Sequence, residues 1–399
     1  MLEELRVVDF TWGLAGPLVT KYLADYGATV VRIESAVRPC GTRVSPPFIG
    51  GIAGIDRAGY FAFYNANKYS FSLDLNHSKA MPVVRRLVKW ADAVVESYSP
   101  GTMEKWGLNY EGLKHIRPDL VMLRTSSQGQ DGPHSTYSSF GIPLVGLAGL
   151  SYITGWPDRS CLPLPSAYSD LISPRFGAAA LLAALDYRRR TGEGQCIDCS
   201  QLEASLHFLT PVILDYTFNH RDAQRAGNSH VASCPHGTFR CLGTNSWCAI
   251  AVFSDEQWHA LCSICEPGWL VDSRFRTLLR RKKHETELNR ELEEWTLKLP
   301  SEEVAYRLQQ SGIPASVVQN AEGLYTDPQL ADEGYFWFLD HPVLGRYPHL
   351  AQASRLSGWP AKGRWASPCL GQHTERVCTQ MLGISDAEFL ELYQAGVFY

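Results

Sequence analysis

Apolar positions in the first half of the chain recur with two periods, and the change from one to the other marks out the elements. Leu5–Phe10 is a short apolar run of strand type, followed by the glycine-containing loop TWGLAG. A helix is predicted from Pro17 to Tyr26, and a second strand from Thr29 to Ile33 after Gly27. This is a βαβ unit, which builds parallel sheets through right-handed crossovers. The alternation continues with SFSLDL at 70–75, a helix over 79–91, a strand at Ala93–Glu96, a helix at Tyr110–Ile116 and a strand at Leu120–Ser126. A long small-residue helix over 174–190 and a strand at Gln195–Asp198 complete it. The pattern predicts an α/β protein with a doubly wound, Rossmann-like large domain whose first part covers 1–205.

After a helical stretch near 201–218 the texture changes. GTFRCLGTNSWCAIAVFS predicts two short strands joined by a Gly-Thr-Asn-Ser turn, and charged amphipathic helices fill 255–312. GIPASVVQNAEGLYTDPQL adds a strand, a helix and a turn, so 225–325 is expected to form a smaller α+β domain. The segment 326–399 is irregular, rich in Pro, Gly and Trp, and ends in one or two helices. Its aromatic content predicts that it packs back on the large domain.

Composition narrows the function. The 399 residues carry a formal net charge of −4, so no bulk basic field exists to hold nucleic acid or an anionic membrane. A phosphate-bearing ligand must then be met by a local cluster of Lys, Arg and backbone amides. The start MLEELRVVDF lacks the basic flank and apolar run of a secretory signal, and no stretch approaches the roughly 20 apolar residues of a membrane span. Eleven cysteines, an odd number, point to free thiols in a reducing cytoplasm. Cys196-x-x-Cys199 and Cys262-x-x-Cys265 lack the further ligands that zinc needs, so no metal is expected. TWGLAGP is not G-x-G-x-x-G, which argues against a nicotinamide enzyme.

One carboxylate stands out. Asp170, in SAYSDLISPRFGAAALLAAL, ends a polar loop just ahead of the helix predicted to begin near Pro174. There it faces unpaired amides and the positive end of the helix dipole, and is expected to stay ionised at neutral pH. Such a group can cap the helix or act as a nucleophile.

VVDFTWGLAGPLVTKYLADYGATVVRIES, YFAFYNANKYSFSLDL, VVESYSPGTMEKWGL, the Asp170 segment with RRRTGEGQCID, and GQHTERV occur in one order along nearly the whole chain. Together they resemble the class III coenzyme A transferases, the group of formyl-CoA and carnitine-CoA transferases and α-methylacyl-CoA racemases. The resemblance implies a large Rossmann-like domain joined by long linkers to a smaller one, and two chains interlocked as a dimer, either identical or paralogous. It implies acyl-CoA and a small carboxylic acid as substrates, with no tightly bound cofactor. Asp170 matches the aspartate that attacks the donor thioester, giving a mixed anhydride and then an aspartyl-CoA thioester. Lys68 and Lys105 match positions that approach the CoA phosphates, with Arg38 and Arg43 placed to assist. Gly13, Leu14 and Ala15 match the loop that lies along the nucleotide and pantetheine.

Departures from the family pattern bear on the substrate. Trp12 and Leu14 replace polar groups of the formyl-CoA type, and Phe140-Gly141 stands where a Tyr-Glu or His-Asp pair is usual. A racemase would use a histidine near that point as an α-proton base, and His134 reads as a loop residue. The substitutions point to an acid bulkier and less polar than formate or oxalate. An aromatic or branched acid fits, as does a substituted succinate exchanged with succinyl-CoA. The alternatives are an acyl-CoA racemase or isomerase of the same fold, and one subunit of a hetero-oligomeric transferase.

Overall fold

The computed structural model describes residues 1–164 and 166–399. Six parallel strands form the main sheet: β1 (Arg6–Phe10), β2 (Thr29–Glu34), β3 (Tyr69–Ser72), β4 (Ala93–Glu96), β5 (Val121–Ser126) and β6 (Cys196–Ser200). Their order across the sheet is β3-β2-β1-β4-β5-β6, the doubly wound arrangement expected from the sequence pattern. Alternate side chains go to opposite faces. Val8, Phe10, Val31, Ile33, Phe71, Val94 and Met122 pack one way, against the helix Ala80–Trp90 and the chain end at Val397 and Phe398. Val7, Val30, Val95, Val121 and Leu123 pack the other way. They meet Val19, Leu23 and Ala24 of the helix Ala15–Asp25, and Ala178, Leu181 and Ala184 of the helix Tyr168–Thr191. A strand buried on both faces needs a near-continuous apolar run, which explains why the central strands are so rich in valine.

The long helix begins earlier than the sequence pattern suggested. It spans Tyr168–Thr191, so Asp170 lies in its first turn and Pro174 inside it. Proline needs no partner for an amide it lacks, so the Asp170 carbonyl receives no helical bond from position 174. Small residues let this helix approach the sheet: a Cβ at Gly177 would sit 3.3 Å from both Leu123 and Val19.

Residues 331–399 belong to the same compact unit as 1–151 and 163–222. The Asn67 N–H donates to the Trp365 carbonyl, the His373 N–H donates to that of Ser70, and Phe398 packs edge-on to Phe71 at 5.8 Å. This returning segment also contains an antiparallel hairpin, Phe336–His341 with Gly345–Leu350, where the sequence had predicted irregular chain.

The second unit comprises 152–162 and 223–330. Three antiparallel strands, His236–Arg240, Trp247–Ala251 and Ala315–Val317, carry helices whose buried face includes Trp258, Leu261, Leu288, Leu292, Val304 and Leu308. The Gly-Thr-Asn-Ser connection is a tight turn with Asn245 at φ 54°. All eleven cysteines are free thiols. Among the described residues no helix is long and apolar enough to cross a membrane, and no group of three metal-ligating side chains gathers.

Candidate active site

In a doubly wound sheet the chain reverses its winding between two neighbouring strands, and the loops leaving their carboxyl ends part to open a crevice. Here those strands are β1 and β4. The Trp12 N–H donates to Ser97 Oγ at 2.8 Å, and Ser97 Oγ donates to the Trp12 carbonyl at 3.0 Å. Gly13 takes φ +70° with open space where a side chain would be, the left-handed backbone that glycine adopts freely. A Cβ at Gly16 would come within 2.5 Å of Thr11 and 2.9 Å of Ser97, so only glycine lets the helix start against both loops. Leu14 is the N-cap of that helix and supplies no side-chain cap, which leaves the first amides of Ala15 and Gly16 to other partners.

The four predicted cations divide into two pairs. Arg38 is exposed and its guanidinium lies 5.1 Å from the centre of the Trp12 ring, a cation–π pair beside Gly13. Lys105 is exposed at the end of the short helix Thr102–Lys105, with no ion-pair partner among the described residues. Lys68 and Arg43 are both fully buried, contrary to the expectation that they reach phosphates. Lys68 Nζ donates to Asp9 Oδ2 at 3.2 Å, the Pro17 carbonyl at 2.7 Å and Asn65 Oδ1 at 2.9 Å. An ammonium has three N–H groups, and all three are used. Arg43 clasps Glu34 through Nε at 2.8 Å and Nη2 at 2.7 Å, and its Nη1 reaches Asp56 at 2.8 Å.

Arg32 joins the two clusters, 3.7 Å from Asp9 and 3.4 Å from Glu34. Burial alone would raise the carboxyl pKa of Asp9 and Glu34, but the neighbouring Lys68, Arg32 and Arg43 hold both below the ordinary range. Burial brings the Lys68 ammonium down to about 8 despite Asp9. The signal was present in the sequence as charges inside apolar strands, in RVVDF and TVVRIE.

Asp170 stands in the first turn of the helix Tyr168–Thr191, within reach of the helix that follows β6. Gln201, the first residue of the helix that follows β6, donates Nε2–H to Asp170 Oδ1 at 3.0 Å. The other oxygen faces Gly141, where a Cβ would lie 3.5 Å from Oδ2 and 2.7 Å from the Ala167 Cβ. Glycine at 141 thus avoids a clash with Ala167, and Oδ2 beside it accepts no hydrogen bond among the described residues. Tyr60 and Tyr64, on the helix Gly59–Tyr64, feel the Asp170 charge. Burial pushes the Asp170 carboxyl up to about 6, and the Gln201 hydrogen bond only partly offsets it. The dipole argument from sequence anticipated an ordinary ionised carboxylate; desolvation wins instead, although the group remains mostly ionised at pH 7.

Of the remaining predicted residues, Phe140 is 73% exposed while its neighbour Gly141 is buried against Asp170. His134 is an exposed loop residue whose ring packs, tilted by 38°, on that of Tyr137 at 4.5 Å. Gln201, Tyr60 and Tyr64 gave no sequence signal, since nothing in their spacing announces a contact with position 170. Next to Asp170 along the helix, Leu171 and Arg175 help to line a cavity of about 620 Å³ with Tyr22, Phe63 and Tyr64.

Comparison with known proteins agrees with this architecture. The family model described as CoA-transferase family III matches residues 2–374. A succinyl-CoA–D-citramalate CoA-transferase of Chloroflexus aurantiacus is 30% identical over 98% of this chain and 96% of its own length. The alpha subunit of a succinyl-CoA–L-malate CoA-transferase from Chloroflexus aurantiacus is 29% identical over 98% of this chain and 91% of its own. The crystal structure of a CAIB/BAIF family protein from Brucella suis superposes with a TM-score of 0.87 at 30% identity, covering 95% of this chain and 98% of that one.

Two stability predictions follow from the geometry. Lys68→Ala leaves Asp9 buried without its ammonium partner and should cost about 3–5 kcal/mol of unfolding free energy, read from a urea titration. A variant of unchanged stability that only weakens acyl-CoA binding would place Lys68 on the phosphates after all. For Asp170 the folded pKa of about 6 lies above the ordinary aspartate value of 3.8, so the folded state binds the proton more tightly. Its stabilising protonation is complete below about 4 and is lost as pH rises to about 6. Asp170→Asn should therefore be more stable than the parent at pH 7–8, by about 1–3 kcal/mol. That advantage should shrink to nothing near pH 4, as thermal melts across the range would show.

Proposed function

The chain belongs to CoA-transferase family III and is an acyl-CoA:carboxylate CoA-transferase, and we propose that Asp170 carries the acyl group and the CoA in turn during transfer. The observation that supports this most is the state of the Asp170 carboxylate. It is desolvated yet ionised at neutral pH, with Oδ1 bound by Gln201 and Oδ2 without a hydrogen bond among the described residues. Desolvation strips the water that would blunt a carboxylate nucleophile, and an acyl-aspartate remains activated, so neither half of the exchange is strongly uphill.

Asp170 attacks the donor thioester and expels CoA thiolate, leaving a mixed anhydride. The thiolate then attacks the aspartyl carbon, which frees the donor acid and leaves an aspartyl-CoA thioester. The acceptor carboxylate repeats these steps in reverse order. For the CoA itself, the loop Gly13-Leu14-Ala15 and the unpaired amides behind it would take the nucleotide side. Arg38 on the Trp12 ring and the exposed Lys105 are the cations still available for phosphate. Lys68 and Arg43 serve by fixing that loop rather than by touching ligand.

We take succinyl-CoA as the donor and a dicarboxylic acid bulkier than oxalate as the acceptor, supported by the names of the two relatives and by the apolar Trp12 and Phe140. Assembly is proposed to be a dimer, with an identical or a paralogous chain. The helix Thr210–Asn219 has no buried residue, yet carries Ile213, Leu214, Tyr216 and Phe218 at 41–76% exposure.

Asp170→Ala should fold and lose more than about three orders of magnitude in CoA exchange, as removal of a covalent nucleophile does. Rapid-quench mass spectrometry with succinyl-CoA should find the adduct on the peptide containing Asp170. In wild-type enzyme kcat/KM should fall tenfold per pH unit below about 6, where the carboxylate takes up its proton. Exchange that persists in Asp170→Ala would remove the nucleophile from this account. A panel of monocarboxylic and dicarboxylic acceptors, with product thioesters read by mass, tests the substrate class.

A further inference from the structure

We propose that Gln201 is a catalytic residue, the donor that stabilises the oxyanion each time the aspartyl carbon of Asp170 is attacked. The inference rests on Asp170 being the nucleophile and adds a second reacting group to it.

The geometry assigns different fates to the two carboxylate oxygens. An ionised carboxylate only accepts hydrogen bonds, so the Gln201 atom that meets Oδ1 at 3.0 Å is the amide nitrogen. Oδ2 lies on the Gly141 side and accepts no hydrogen bond among the described residues. Oδ2 is therefore the oxygen placed to bond to the thioester carbon, as the C–S bond breaks and its electron pair leaves with CoA as thiolate. In the next step the thiolate bonds to Cγ of Asp170, and the electron pair of the Cγ–Oδ1 double bond moves onto Oδ1. Collapse of that tetrahedral intermediate re-forms the double bond and breaks the Cγ–Oδ2 bond. The donor carboxylate departs with that oxygen. Net charge is −1 throughout, carried first by the thiolate, then by Oδ1, then by the departing carboxylate.

Oδ1 thus becomes an oxyanion at the place where an N–H already points. A separation of 3.0 Å is within the range at which a preorganised donor stabilises such a charge. The same oxyanion returns when the acceptor carboxylate attacks the aspartyl thioester, so one donor serves two of the four steps.

Gln201 is built to hold still. Its residue surface is 7% exposed, and it opens a helix whose N-cap, Ser200, accepts the Glu203 N–H at 3.2 Å. Ser205 Oγ donates to the Gln201 carbonyl at 2.8 Å. In the resting enzyme the same N–H holds the Asp170 pKa lower than burial alone would set it. The group that keeps the nucleophile ionised is then also the group that lowers the following barrier.

The test compares wild type with Gln201→Met, which keeps the length of the side chain without its donor, and with Gln201→Glu, which keeps its shape. Gln201→Met should melt near wild type, whereas Gln201→Glu should melt lower at pH 8, where two carboxylates face each other. Gln201→Met should lose about 100-fold in kcat with KM for succinyl-CoA within about twofold. Its acid limb should move to higher pH. Gln201→Glu, ionised beside Asp170, should fall further at pH 8. With succinyl-CoA and no acceptor, quenched wild-type protein should carry mainly aspartyl-CoA, whereas Gln201→Met should stall at the succinyl anhydride. If wild type is labelled at Asp170 but Gln201→Met shows the wild-type adduct ratio and acid limb, the role of Gln201 is overturned and the nucleophile stands. If wild type is never labelled at Asp170, the reading beneath it has failed first.

Discussion

Six charges in and around the first three strands fix the geometry on which the site depends. Asp9, Glu34 and Asp56 oppose Lys68, Arg32 and Arg43, and every side chain except that of Asp56 is almost wholly removed from water. A charge in such a place is tolerated only with its partner, because each ion gives up several kcal/mol of hydration that only close contact returns. No single member can therefore drift or be replaced without stranding another. The contacts run from β1 and β2 through the segment carrying Arg43 and Asp56, and Arg43 also donates to the Pro368 carbonyl of the returning tail at 3.1 Å. Lys68 holds the Pro17 carbonyl in the first helix. The loop bearing Trp12 and Gly13 thus leaves the sheet between two fixed points. Charge neutrality deep in the fold thus sets the position of an exposed loop.

The Asp170 end of the sheet works by the opposite logic. There a carboxylate is partly buried with only an amide donor as partner, so its charge is destabilised rather than neutralised. The surrounding backbone concedes too: Pro174 deprives the Asp170 carbonyl of its helical amide, and Gly141 forgoes a side chain that would strike Ala167. Each concession weakens the fold slightly and leaves the reactive group more open. The cost is carried by the well-packed remainder of the same helix, where Ala178, Leu181 and Ala184 meet the sheet. Stability and reactivity are set at different positions along one helix.

Much of this architecture was legible because strands buried on both faces must be apolar, and crossover helices must alternate with them. The hairpin 336–350 was not legible, since its strands FWFLDH and GRYPHL mix charged residues, aromatics and a proline without clean alternation. Lys68 was misjudged for a physical reason. A lysine after NAN reads as a surface cation, and only its pairing with Asp9, 59 residues away, shows it to be internal. Gln201 illustrates the same limit, for its contact with Asp170 spans 31 residues and leaves no periodic trace. Local patterning specifies elements and faces. Polar contacts between distant elements are set by the fold as a whole.

Water is the remaining constraint. Anhydrides and thioesters hydrolyse, so the reaction proposed for Asp170 needs its surroundings dry during turnover. Within one chain Gly141 is buried beside Asp170, but the adjoining Phe140 is 73% exposed, Ile142 53% and Leu147 56%. A soluble surface rarely keeps so many large apolar groups together without a partner to cover them. The helix Thr210–Asn219 of the same compact unit exposes further apolar side chains, but the surface at Phe140 is the one next to Gly141 and Asp170. Covering it would exclude solvent from the neighbourhood of Asp170, lower the local dielectric and strengthen the Gln201 hydrogen bond to the oxyanion. In the dimer proposed above, a partner chain is what would cover that surface.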